Sequence, residues 1–187
     1  TLSPSSAASD VYKRQVLGMG VPTTAAYIIT VTLAGPALIH MGVNIFAAHL
    51  FVLYFAVLSF ITPPVAIAAY AASGISGSDP MRTGFIAWRL GLAGFIVPFI
   101  YIFDQSLLLM GTPFQIVSSF ARGVVGVIAL AIAIEGYFKG NVSIVERTLY
   151  FISSLAILTP NNIQANTIGL TIFLALMLTK LIHKLKH

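Results

Sequence analysis

From Phe46 to Ile75 the chain carries no Asp, Glu, Lys or Arg, yet near the middle of that stretch stands Thr62-Pro63-Pro64-Val65. As one straight helix at about 1.5 Å per residue the stretch would reach roughly 45 Å, against a hydrocarbon core about 30 Å thick. Neither proline can donate a backbone hydrogen bond, and each ring clashes with the preceding turn. The stretch therefore reads as two half-helices meeting at a break within the membrane. Water is missing from a lipid core, so backbone groups must be satisfied internally, which leaves helices or closed barrels. The composition, 58% hydrophobic and only 8% charged, compares with about 45–50% and about 25% in soluble domains. The fold class is an all-α polytopic membrane protein.

Five further apolar segments flank or follow this one: Ala25–His40, Thr83–Phe103, Phe114–Tyr137, Glu146–Thr159 and Asn166–Lys184. Lysine and arginine alternate between the connections. Arg82 precedes the Thr83 segment, Lys139 and Arg147 bracket the next basic loop, and Lys180, Lys184 and Lys186 close the chain. The loops 104–113 and 159–167 have no basic residue. By the positive-inside rule the basic loops and the C-terminus are expected to be cytoplasmic. Arg122 is the exception, and is expected to snorkel from the outer end of its helix to the headgroups. The net charge of +5 and pI near 9.7 come from residues scattered in ones and twos, which gives no nucleic-acid patch. With no cysteine, disulfides and thiolate metal sites are excluded. Residues 1–15, polar and Ser-rich, have no apolar middle or small-residue cleavage site and read as a non-native or disordered leader.

A second interruption lies at Gly18-Met19-Gly20-Val21-Pro22-Thr23-Thr24. Ala25–His40 has about 16 residues, short for a full crossing, so its lower end is expected to stop within the membrane. The break then reads as the tip of a re-entrant hairpin. Non-helical backbone at membrane depth is tolerated only against protein or a watery cavity. Both breaks carry hydroxyls, Thr23 and Thr24 at one and Ser59 and Thr62 at the other. Unwound carbonyls with such hydroxyls offer hard oxygen donors to a small cation such as sodium, and half-helix N-termini attract an anionic group. Gly18 and Gly20 permit close approach, Pro22 stiffens the tip, and Pro63 and Pro64 make the structural break.

Other polar residues carry less chemistry. His40 and His49 flank a loop at a spacing unsuited to one metal, and Glu135 lies near the end of its helix beside Lys139. Asp104 is a loop acid, Asp79-Pro80 reads as an N-cap with a helix-starting proline, and Glu146-Arg147 likewise opens a helix. No nucleophile–base pair, phosphate loop or metal cluster is evident, so the chain is not expected to be an enzyme and needs no cofactor beyond a coupling sodium ion.

The segments LGMGVPTTAAYIITVTLAGPALIHMGV and AAHLFVLYFAVLSFITPPVAIAAYAASGISGSDPMRTGF resemble the large, DctM-like membrane subunit of TRAP transporters. More narrowly they resemble the fused 4TM/12TM permeases that work with TAXI-type receptors. EGYFKGNVSIVERTLYFISSLAILTP is similar to the C-terminal extension of those fused permeases. The resemblance implies an elevator fold of the ion-transporter superfamily, in a bacterial inner membrane. It also implies a periplasmic solute-binding receptor, a small four-helix subunit fused upstream, and a carboxylate substrate taken up with sodium. Gly18–Thr24, with Val21, would match the second hairpin tip, and Ser59–Val65 the unwound break; together they would form the second-repeat sodium site. Thr83–Phe103 would be a scaffold helix. Phe60 stands where relatives often carry a polar or acidic residue.

Residues 16–110 are then the second-repeat transport and scaffold region, and 111–187 the C-terminal extension. One repeat cannot close a site at a repeat interface, so the sequence is expected to be the C-terminal fragment of a larger permease. Two alternatives stand beside this: a receptor-independent dicarboxylate or anion carrier of the same superfamily, and a non-transporting membrane scaffold.

Overall fold

The computed structural model describes residues 23–160 and 162–185. Every regular element among them is helical, and four segments are long and apolar enough to cross a bilayer: Thr23–His40, Pro80–Phe103, Pro113–Glu135 and Ile163–Ile182. The first begins two residues before the expected Ala25–His40 segment, and at 18 residues it is long enough to cross, where the sequence suggested a helix too short to do so. Large apolar side chains face outward along them; Leu33 is 77% exposed and Phe114 82%. Such a surface would aggregate in water but is what lipid tails require. The protein is an all-α polytopic membrane protein.

The chain divides into two compact units at Gly91/Leu92. In the first, α1 (Thr23–His40) packs with α2 (Ile45–Leu58), and small residues line the buried surface: Gly35, Ala47, Ala48 and Ala56. Small residues let membrane helices approach closely, where dispersion rather than the hydrophobic effect holds them. Asn44 opens α2 by accepting from the Phe46 amide at 2.8 Å. After α2 comes a 3-10 turn, Ser59–Ile61, then α3 (Ile67–Ser76) and α4 (Pro80–Gly91). Gly77, at φ 70°, ends α3, and the Arg82 amide donates to Asp79 Oδ1 at 2.8 Å, so the Asp79-Pro80 start read from the sequence is the start observed. The expected Phe46–Ile75 segment is thus two short helices, as the paired prolines demanded.

In the second unit a 3-10 stretch, Leu92–Ile96, leads into α5 (Val97–Phe103). The Thr83–Phe103 segment is therefore one apolar run whose middle tightens, with Pro98 in the first turn of α5. A 3-10 turn, Gln105–Leu108, precedes α6 (Pro113–Glu135), α7 (Ile144–Leu158) and α8 (Ile163–Leu185). Capping boxes open α6 (Thr112 with Gln115) and α7 (Ser143 with Glu146), each satisfying two otherwise orphaned amides. The three long helices run antiparallel in sequence. Ser154 Oγ donates to the Gly126 carbonyl and the Arg147 guanidinium to the Ala133 and Ile134 carbonyls, both joining α7 to α6. Ser153 Oγ donates to the Gly169 carbonyl and Lys180 pairs with Glu146 at 2.9 Å, both joining α8 to α7. Between them lie Ala129, Ile132, Tyr150, Ile157 and Phe173.

Candidate functional site at the broken helix

The break is built from hydrogen bonds that the prolines remove. In a helix or 3-10 turn, the Phe60 carbonyl would accept from residue 63 or 64, and both are proline. The Ile61 carbonyl would accept from residue 64 or 65; Pro64 has no N–H, and the Val65 amide turns to the Thr62 carbonyl at 3.1 Å. Two successive carbonyls at the C-terminal end of α2 and its 3-10 turn therefore have no local donor. Thr62 leaves helical geometry at φ −105°, ψ 115°, and its carbonyl takes the Val65 and Ala66 amides together, at 3.1 and 3.0 Å.

The hydroxyls are oriented by the same segment. Ser59 Oγ donates to the Ala56 carbonyl at 2.7 Å and Thr62 Oγ1 to the Leu58 carbonyl at 2.8 Å. Each hydroxyl has given its proton to a helix carbonyl, which leaves its lone pairs to face an electrophile. Ser59, Thr62, Pro63 and Val65 are half-buried and Pro64 is exposed. No ionisable side chain stands between Ser59 and Ala66, and no group of His, Cys, Asp or Glu suited to a metal occurs among the described residues. What the break offers is neutral oxygen at the negative end of one short helix, beside the positive N-terminus of the next.

A clamp holds the break open. Tyr70, 7% exposed, reaches back from α3 and donates through its hydroxyl to the Pro64 carbonyl at 2.9 Å. Ala66, fully buried, adopts φ 29°, ψ 40°, a left-handed conformation that costs an alanine about 1–2 kcal/mol and so must be imposed by its surroundings. Those surroundings are α4: a Cβ added to Gly84 would lie 3.0 Å from the Tyr70 ring, 3.3 Å from Pro63 and 3.5 Å from Ala66. The helix read as a scaffold is pressed directly against the break.

The structure brings Ser59, Thr62, Pro63, Pro64 and Val65 into one turn. Thr23 is half-buried and Thr24 exposed, both in the first turn of α1, and α1 makes no extended contact with the 3-10 turn of the break. Gly18, Gly20, Val21 and Pro22 lie outside the described residues. The Tyr70 clamp and the Gly84 seat were not legible beforehand; the one signal was a tyrosine in an apolar helix, whose hydroxyl needs a partner when buried. His49 meets Tyr27, whose hydroxyl lies 2.7 Å from Nδ1, consistent with a packing histidine.

Arg122 has partners that the sequence did not show: Nη2 donates to Asp104 Oδ2 at 3.0 Å and to Ser119 Oγ at 2.8 Å. Arg122 stands about 14 Å along α6 from Pro113, at about 1.5 Å per residue. Asp104, at the end of α5, supplies the carboxylate that pairs with it, as ionisable groups within apolar helices require.

Residues 15–116 match the family model of the tripartite ATP-independent periplasmic transporter, DctM component. No curated protein and no solved structure matches the chain. The matched region holds α1, the broken helix, its clamp and the α4 seat. With more than half of the sequence in that match, the chain belongs to the DctM family of tripartite ATP-independent periplasmic transporter components.

Proposed function

We propose that the chain works as permease of a TRAP-type secondary transporter, in which the broken helix at Ser59–Ala66 supplies part of a sodium site coupled to uptake of an organic carboxylate. One observation carries the reading: the Phe60 and Ile61 carbonyls have lost their local donors to Pro63 and Pro64, beside two hydroxyls whose protons are already committed. Oxygen-only donor sets suit hard cations, and broken membrane helices expose such sets where a transporter binds its coupling ion. The amides of the first turn of α3 supply the complementary end, where a carboxylate would be favoured. Thr23, Thr24 and the Gly18–Pro22 tip would complete the site from the neighbouring hairpin. The transport region lies within residues 16–110, and 111–187 form an extension to it. A periplasmic receptor delivers the carboxylate, a small four-helix subunit completes the assembly, and the membrane is the bacterial inner membrane.

The test is sodium-dependent uptake in cells carrying the permease and its receptor. Thr62→Val and Thr24→Val should each raise the sodium concentration for half-maximal uptake about tenfold, equivalent to about 1.4 kcal/mol and comparable with one charge-assisted hydrogen bond. Unaltered sodium dependence in both variants would remove the assignment.

A further inference from the structure

A groove of about 590 Å³ opens in the second unit near the Pro113 end of α6, walled by α6 and α8 and floored by Ile157 of α7. Its walls are apolar at Val125 and Leu170 and polar toward the start of α8, with Asn166 and Thr167. Arg122 lies in the wall of the same groove. Most of this lining falls beyond the family match at 15–116, so the groove is not part of the broken-helix site.

Two polar groups in it are unfinished. Arg122 uses Nη2 on Asp104 and Ser119; of the five guanidinium N–H groups, those on Nε and Nη1 make no bond among the described residues, and the side chain remains 30% exposed. Asn166 Oδ1 is buried and accepts no hydrogen bond among the described residues. A buried acceptor left so costs roughly 1–3 kcal/mol. The groove therefore presents spare donors at Arg122 and a spare acceptor at Asn166, beside apolar lining from Val125, Ile157 and Leu170.

Charge narrows the occupant. Arg122 and Asp104 already neutralise one another, so a ligand bearing only negative charge would leave an excess at a half-buried site. A zwitterion would not. We propose that the groove binds one membrane phospholipid with a primary-ammonium head group. Its phosphate receives the free Arg122 N–H groups, its ammonium donates to Asn166 Oδ1, and its acyl chain lies along Val125, Ile157 and Leu170. A choline head group keeps the phosphate and the charge but has no N–H to donate. This assignment holds whether or not the broken helix carries sodium.

The experiment is native mass spectrometry of the purified full chain in detergent, titrated separately with phosphatidylethanolamine, phosphatidylcholine and inorganic phosphate. The wild type should retain one phosphatidylethanolamine, about tenfold tighter than phosphatidylcholine, the preference one hydrogen bond to a charged donor supplies. Asn166→Leu should bind the two lipids equally, and Arg122→Gln should weaken both. Should Arg122→Gln fail to fold, Leu170→Trp, which fills the groove and leaves the ion pair alone, should abolish retention. Equal binding of the two lipids by the wild type, undiminished binding by Leu170→Trp, or displacement of lipid by inorganic phosphate would each overturn the proposal.

Discussion

Two tyrosines allow the clamp on the broken helix to be weighed against an internal standard. Tyr70 and Tyr150 are both buried, at 7% and 0% exposure, and each loses one oxygen on replacement by phenylalanine while its ring packing stays. Their hydroxyls differ in one respect. That of Tyr70 donates to the Pro64 carbonyl at 2.9 Å and touches Met81 Sδ at 3.3 Å; that of Tyr150 has no partner among the described residues. A made hydrogen bond contributes about 0.5–1.5 kcal/mol net, and a buried hydroxyl without one costs about 1–3 kcal/mol. Tyr70→Phe should therefore destabilise by about 1 kcal/mol, with the Pro64 carbonyl, on an exposed residue, partly resolvated. Tyr150→Phe should be neutral or stabilising by about 1 kcal/mol, since it removes a desolvated group that gave nothing back. Equilibrium unfolding of the full chain in mixed micelles, titrated with sodium dodecyl sulfate and with each variant referred to wild type, reads the difference. If Tyr70→Phe is no more costly than Tyr150→Phe, the clamp does not hold the break and the reasoning fails.

Further outcomes follow from packing and charge. A Cβ at Gly169 would lie 2.8 Å from the Ser153 backbone carbonyl, so Gly169→Ala must part α7 from α8. An overpacking cost of about 1–3 kcal/mol, against about 1 kcal/mol gained in helix propensity, leaves a net loss in the same unfolding assay. Gly74→Ala meets nothing within 4 Å and should hold or raise stability by up to about 1 kcal/mol. Arg122→Leu leaves Asp104 charged with its partner gone and should cost about 2–4 kcal/mol, whereas Arg122→Leu with Asp104→Leu should recover most of that loss. Lys180→Met removes a partly solvated partner of Glu146 and should cost under about 1 kcal/mol.

The parts of the molecule that could be read in advance are those where covalent structure leaves no alternative. Pro63 and Pro64 delete particular donors, so the division of Phe46–Ile75 into α2 and α3 followed from two residues. Asp79-Pro80 likewise gave a helix start, because caps act within one turn; Glu146 reads as another, but α7 opens at Ile144 behind the Ser143 cap, with Glu146 as the capping box's third residue. What stayed hidden depends on helix rotation and register. A serine in an apolar helix has the same local sequence whether it faces lipid or, as Ser153 and Ser154 do, donates to a glycine carbonyl on a neighbouring helix, α8 and α6 respectively. The Arg122–Asp104 pair stayed hidden for a related reason: Asp104 comes from a preceding turn whose path along α6 no short-range pattern specifies. Ala66 gave no warning either, since a left-handed alanine is forced by the Tyr70 and Gly84 packing around it.

The central claim is that the turn after α2 is open to a sodium ion, and the absence of cysteine from the sequence permits a direct test. Val65→Cys places a single thiol of similar size beside the Thr62 carbonyl, and its rate of maleimide labelling in membranes reports access to the break. Sodium should slow labelling severalfold relative to potassium at equal ionic strength, and Thr62→Val in the same background should remove the difference. Equal labelling in the two salts would contradict a sodium site at the broken helix.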